Sequence, residues 1–244
     1  YNLTIDGGVD GRGVNGVQLS SATSGTHLRI KNDLTVISGT TKMTTTQGNN
    51  GWLLEVSGHC LVQQSGAAVF GDASFTAYGL VKVGSLQINA NGYFSASSGT
   101  TTINGAPNGG FSMYAPDGGF YHSSGTVDVR FTGTDATHFR SKSPLYNFEQ
   151  TLGASSHRVN WRGDGSSPYQ FTIANDLTIK EGSFRPHASV NTIVVSGNVK
   201  VETGGNYGYS AGDFEAAASF GSLVGTGGGS IAGIVYLSTG TTTI

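Results

Sequence analysis

Asp213 and Glu215 are the only two acidic residues in the chain separated by a single position. That spacing puts two carboxylates on one face of a β-strand. Hydrolysis of a polysaccharide needs two carboxyl groups about 5–10 Å apart, one as acid and one as base or nucleophile. A lyase instead needs a base beside a charge-neutralising Lys, Arg or calcium ion. The surroundings, Gly212-Asp213-Phe214-Glu215-Ala216, hold no basic or metal-binding neighbour, so the pair reads as an exposed loop or strand edge. The other acids, among them Asp6, Asp10, Asp33, Glu55, Asp128, Asp135, Glu149 and Asp164, are spread along the chain. The turn Asp6-Gly7-Gly8-Val9-Asp10-Gly11 alternates Asp and Gly as calcium loops do. It lacks the further oxygen ligands and terminal Glu of an EF-hand and the tandem copies of a nonapeptide repeat, so it reads as a polar turn.

Nucleophiles and metal ligands are equally dispersed. His27, His59, His122, His138, His157 and His187 show no HxH or HxxxH spacing. Serines are abundant along the chain, and their distribution singles out none as the nucleophile of a Ser-His-Asp triad. Cys60 is the only cysteine, which excludes an intrachain disulfide and paired-cysteine zinc sites; in Cys60-Leu61-Val62 it reads as a small buried hydrophobe. Arg162-Gly163-Asp164 matches a receptor-recognition tripeptide and reads as a turn in so glycine-rich a chain. The threonine runs 44–46, 100–102 and 241–243 are too few for a flat threonine face. The expected catalytic, cofactor and metal sites are therefore none.

What must carry these residues is legible as β-structure. Leu3-Thr4-Ile5, Leu28-Arg29-Ile30, Leu34-Thr35-Val36, Leu86-Gln87-Ile88, Val127 to Phe131, Phe171-Thr172-Ile173, Leu177-Thr178-Ile179 and Val199-Lys200-Val201 alternate apolar and polar side chains. This is the period of half-buried strands, and Gly, Asn, Asp and Ser punctuate the runs as turns. The text is also written twice: YN at 1–2 and 146–147, VN at 14–15 and 159–160, NDLT at 32–35 and 175–178, VSG at 56–58 and 195–197, GTTTI at 99–103 and 240–244. The offsets of 145, 145, 143, 139 and 141 residues keep their order, as a duplicated unit with small insertions would. No linker separates the copies. The expected fold is all-β, a right-handed parallel β-solenoid (β-helix) with residues 1–104 and 146–244 stacked as two copies around an unrepeated segment, 105–145; the alternative is a two-domain β-sandwich. Asn32 and Asn175, and Gly58 and Gly197, are expected at equivalent corners.

Composition narrows the function. Glycine, 39 of 244 residues, is about twice its ordinary share, and charged residues, 11 %, are under half of theirs. Thirteen basic against fifteen acidic residues, with no basic run, offer no field for a nucleic-acid backbone. No apolar stretch approaches the ~18 residues of a membrane span, and no secretory pattern opens the chain. YNLTI, NDLTV, NDLTI, SGTTTI and VGSLQI resemble the glycine- and threonine-rich repeats of tailed-phage structural proteins, such as tail fibres, tailspikes and decoration proteins, and are similar to repeats of large bacterial adhesins. The resemblance implies an elongated, oligomeric, non-catalytic structural or adhesive module on a virion or cell surface. Its partners would be other copies of itself or neighbouring virion or filament proteins, with surface glycans as a further candidate. The alternatives are a polysaccharide-cleaving β-helix and a carbohydrate-binding module without cleavage. Within 105–145, Phe111, Tyr114, Phe120, Tyr121 and His122 form the expected contact surface, against the reading that such rings fill a wider core. Tyr1 and Ile244 lie in strand-like text, so the ends are expected to be covered by further chain, an oligomer or a particle surface.

Overall fold

Every described strand pairs in parallel with strands of neighbouring coils, forming a three-faced β-solenoid. The computed structural model describes residues 1–6, 16–18, 27–42, 53–63, 66–69, 80–90, 92–96, 98–105, 110–116, 119–132, 136–154, 156–162, 169–186, 190, 192–207, 217–225, 234–235 and 242–243. On the first face Leu3 pairs with Leu34, Leu34 with Cys60, Cys60 with Leu86, Leu86 with Met113, Met113 with Phe139 and Phe139 with Trp161. The second face carries Val17, Thr41, Ala68, Phe94 and Phe120 in register, and later Leu145, Ile173, Val195 and Phe220. The third face is continuous from Leu28 through Leu54, Val81, Thr101, Val127, Phe148, Leu177 and Val199 to Leu223. Neighbouring coils supply each strand's hydrogen bonds, so apolar residues at alternate positions stack into files that fill the tube. The single tube with both copies on one axis replaces the sandwich alternative.

The repeated Asn-Asp-Leu text makes the same corner twice. The Gly58 amide donates to the Asn32 carbonyl at 2.9 Å and the Gly197 amide to that of Asn175 at 2.9 Å. One residue on, the Asp33 carboxylate accepts the His59 amide at 2.8 Å, as Asp176 accepts that of Asn198 at 2.8 Å. Both glycines are required sterically: a Cβ on Gly58 would lie 2.2 Å from Asp33 Oδ1, and one on Gly197 2.4 Å from Asp176 Oδ1.

The two corners are on different faces. Leu34 leads onto the first face, whereas Leu177 belongs to the third; Thr101 is on the third and Thr242 on the second. The cause is segment 105–145, which is part of the tube. Its strands Phe111–Ala115, Phe120–Tyr121, Thr126–Val129 and Ala136–Ser141, with the bridge at Leu145, occupy five successive faces. Five is one coil plus two faces, so the second copy starts one face out of phase with the first.

Around this segment the core widens from aliphatic to aromatic. Leu34, Val36, Leu54, Cys60 and Val62 fill the early coils, and Phe139, Phe148, Trp161, Phe171 and Phe184 the later ones, all fully buried. Trp161 is central, with ring centroids 4.0 Å from Phe171, 4.1 Å from Phe139 and 4.9 Å from Phe148.

Candidate functional site

Neighbouring outward positions on the first face enclose a recess of about 420 Å³, lined by His59, Ser85, Leu86, Gln87, Gly110, Phe111 and Tyr114. His59 and Ser85 are rung partners, as are Gln87 and Tyr114, so residues 26 or 27 positions apart in the chain meet as neighbours. His59 Nδ1 and Ser85 Oγ share a hydrogen bond. Gln87 Nε2 donates to Asn89 Oδ1 at 2.8 Å, which fixes the amide. A register shift between Phe111 and Met113 sets the aromatic wall: Ser112 turns inward to Thr137 Oγ1 at 2.6 Å, and Phe111 meets Tyr114 edge-on at 4.9 Å. Such bulges re-aim side chains. Arg140 lies over the Tyr114 ring, 5.5 Å from its centroid.

A second group of rings sits on the second face and the corner after it. Tyr93 stacks on Tyr121 at 6.4 Å, Tyr121 on His122 at 5.8 Å, and His122 meets Tyr146 at 5.4 Å. His122 Nδ1 accepts the Ser124 amide at 2.9 Å, which leaves the neutral ring's proton on Nε2. Partial burial pushes the imidazole below its ordinary value. Ser123 and Ser124 have φ of 47° and 60°, left-handed conformations that are strained for non-glycine residues.

The third face carries three ion pairs. Arg29 pairs with Glu55 at 2.9 Å, Lys180 with Glu149 at 2.8 Å and Lys200 with Glu202 at 3.0 Å. Asp128 is the exception among these acids. Its side chain is 1 % exposed, with Thr102 and Glu149 as rung partners and Arg130 at 2.6 Å. Burial raises its pKa against the opposing pull of Arg130. Asp128 and Glu149 are thus two carboxylates on adjacent rungs, but the first is closed to substrate.

The expected contact surface therefore divides. Phe111 and Tyr114 belong to the recess, Tyr121 and His122 to the ring row, and Phe120 to neither. It is buried, stacked on Phe94 at 5.9 Å, because its side chain falls on the inward file of the second face. Asp213, Glu215, Gly163, Asp164, His187 and the turn after Asp6 lie outside the described residues. Among the described residues no three His, Cys, Asp or Glu side chains gather as a metal site, and no helix is long and apolar enough to cross a membrane. His59, Ser85 and Gln87 went unnoticed in the sequence because linear spacing conceals them. Laying Cys60-Leu61-Val62 on Leu86-Gln87-Ile88 would have placed His59 over Ser85. Compared with known proteins, the chain matches no family model, no curated protein and no solved structure.

Proposed function

We propose that this chain is a non-catalytic structural or adhesive module of a phage fibre or another extracellular filament. The observation that carries the reading is the third face, whose parallel file runs from Leu28 to Leu223 through both copies and the segment between them. A tube of this kind resists axial load through backbone hydrogen bonds and leaves three outward faces for contacts. Among the described residues, four acids support the same reading: Glu55, Glu149 and Glu202 are in ion pairs, and Asp128 is covered. Acid–base cleavage needs an accessible pair of carboxyl groups. The reading also rests on the resemblance of the repeat text to virion and adhesin repeats.

The test is incubation of the purified chain with a panel of bacterial surface polysaccharides, measuring pull-down and new reducing ends together. Binding without new reducing ends agrees with the proposal. Release of reducing ends that is abolished by Glu149→Gln would overturn it.

A further inference from the structure

We propose that the first-face recess bounded by His59, Ser85, Gln87, Phe111 and Tyr114 is a binding subsite for a neutral saccharide residue; this rests on the adhesive reading above and names its ligand. The recess, about 420 Å³, falls within the range of small-molecule sites. Its walls divide by chemistry: Phe111 and Tyr114 give aromatic surface on one side, while His59, Ser85 and Gln87 give imidazole, hydroxyl and amide on the other. A pyranose has the same division. Its axial C–H faces are apolar and weakly positive, suited to the negative face of an aromatic ring, and its equatorial hydroxyls need both donors and acceptors.

The polar side is already held in place. The hydrogen bond between Ser85 and His59 orients both, and the Gln87 amide is fixed through one N–H to Asn89, leaving its carbonyl and second N–H for a ligand. Such preorganisation reduces the ordering cost of binding. The Tyr114 ring has Arg140 over it at 5.5 Å, which fixes the ring that forms the wall.

Two other ligand classes fit less well. Among the described residues no Lys, Arg, Asp or Glu lines the recess itself, so a phosphorylated or strongly acidic ligand would meet no counter-charge on those walls. An extended peptide adding to a sheet needs an open strand edge. Here Leu86 and Gln87 are already paired with Cys60 and Leu61 on one side and with Met113 and Tyr114 on the other.

The test uses the full chain on a printed array of neutral and acidic bacterial surface oligosaccharides. The tightest neutral ligand is then titrated in solution and followed by amide NMR. Shifts are expected at residues 85–87 and 110–114. Affinity should fall roughly tenfold in Gln87→Ala, the loss of one ligand hydrogen bond, and further in Tyr114→Ala. Lys200→Ala, on the third face away from both ring groups, should bind as the parent does. Gln87 is exposed, so its variant tests the site even if Tyr114→Ala misfolds. Absence of neutral-saccharide binding, a preference for acidic sugars, or unchanged affinity in Gln87→Ala would each overturn the subsite. Glycan binding lost only in Tyr121→Ala would overturn it while leaving the adhesive reading intact.

Discussion

Replacing Gly58 by alanine tests the corner on which the repeat depends. The new methyl group would sit 2.2 Å from Asp33 Oδ1 and 2.9 Å from the backbone oxygen of Asn32. The carboxylate can rotate away, but it then releases the His59 amide it holds at 2.8 Å, a loss of about 0.5–1.5 kcal/mol. The Asn32 oxygen cannot rotate, because it accepts the Gly58 amide. The coils must separate locally, which costs about 1–3 kcal/mol by the standard of overpacked sites. Together these give a destabilisation of roughly 2–4 kcal/mol. Gly197→Ala meets Asp176 Oδ1 at 2.4 Å and the Asn175 oxygen at 2.8 Å, so it should cost about the same. Urea unfolding followed by far-UV circular dichroism measures both. In an Asp33→Ala background the Gly58→Ala penalty should shrink by about 1 kcal/mol, since the carboxylate's share is already gone. Refutation would be either glycine variant lying within about 0.5 kcal/mol of the parent, the range of an ordinary surface change.

Trp161→Ala removes the ring at the centre of the aromatic core and should destabilise by about 3–5 kcal/mol in the same assay; a loss below about 1 kcal/mol would mean the site is loosely packed. Burial pushes the Cys60 thiol up to about 12, so a thiol reagent at mild alkaline pH should label it only as the chain unfolds, and rapid labelling of the folded protein would contradict its placement. The same shift has a pH signature: Cys60's contribution is complete below the unfolded value of about 8.5 and is lost as pH rises toward about 12, so Cys60→Ala should flatten the alkaline decline in stability. Asp128 is also raised, and folded chains hold its proton longer than unfolded ones, so stability falls as pH climbs from the ordinary aspartate range toward the native value. Asp128→Asn should remove that decline and change stability at neutral pH by less than about 1 kcal/mol, because the Arg130 left behind is 60 % exposed; a much larger loss in a pH-dependent melt would show that the ion pair stabilises the fold.

Much of the tube was legible as period-two text because each strand has one dry and one wet side. Leu34-Thr35-Val36 and Leu177-Thr178-Ile179 are both strands with their apolar residues buried, as alternation requires. The duplicated corners were legible for a local reason: Asn, Asp and Gly are needed within a few residues of each other on adjacent coils. The face each corner occupies was not legible, because it depends on how many strands intervene, and residues 105–145 show no internal repeat from which to count them. Asp128 follows the alternating pattern yet is buried, since its rung partners Thr102 and Glu149 lie on either side of it. The recess escaped notice for the same reason. His59 and Ser85, or Gln87 and Tyr114, become neighbours only once the coil length is known, and coil length varies: Val81 to Thr101 is 20 residues while Phe148 to Leu177 is 29.

The most direct test of the tube is a residue-resolved map of inter-strand amide contacts by NMR on the labelled chain. Parallel contacts should link Leu34 with Cys60 and Cys60 with Leu86 in one file, and Val127 with Phe148, Phe148 with Leu177 and Leu177 with Val199 in another. Antiparallel pairing between these strands, or contacts placing Leu177 in the file that holds Leu34, would contradict the solenoid and the one-face rotation between its copies.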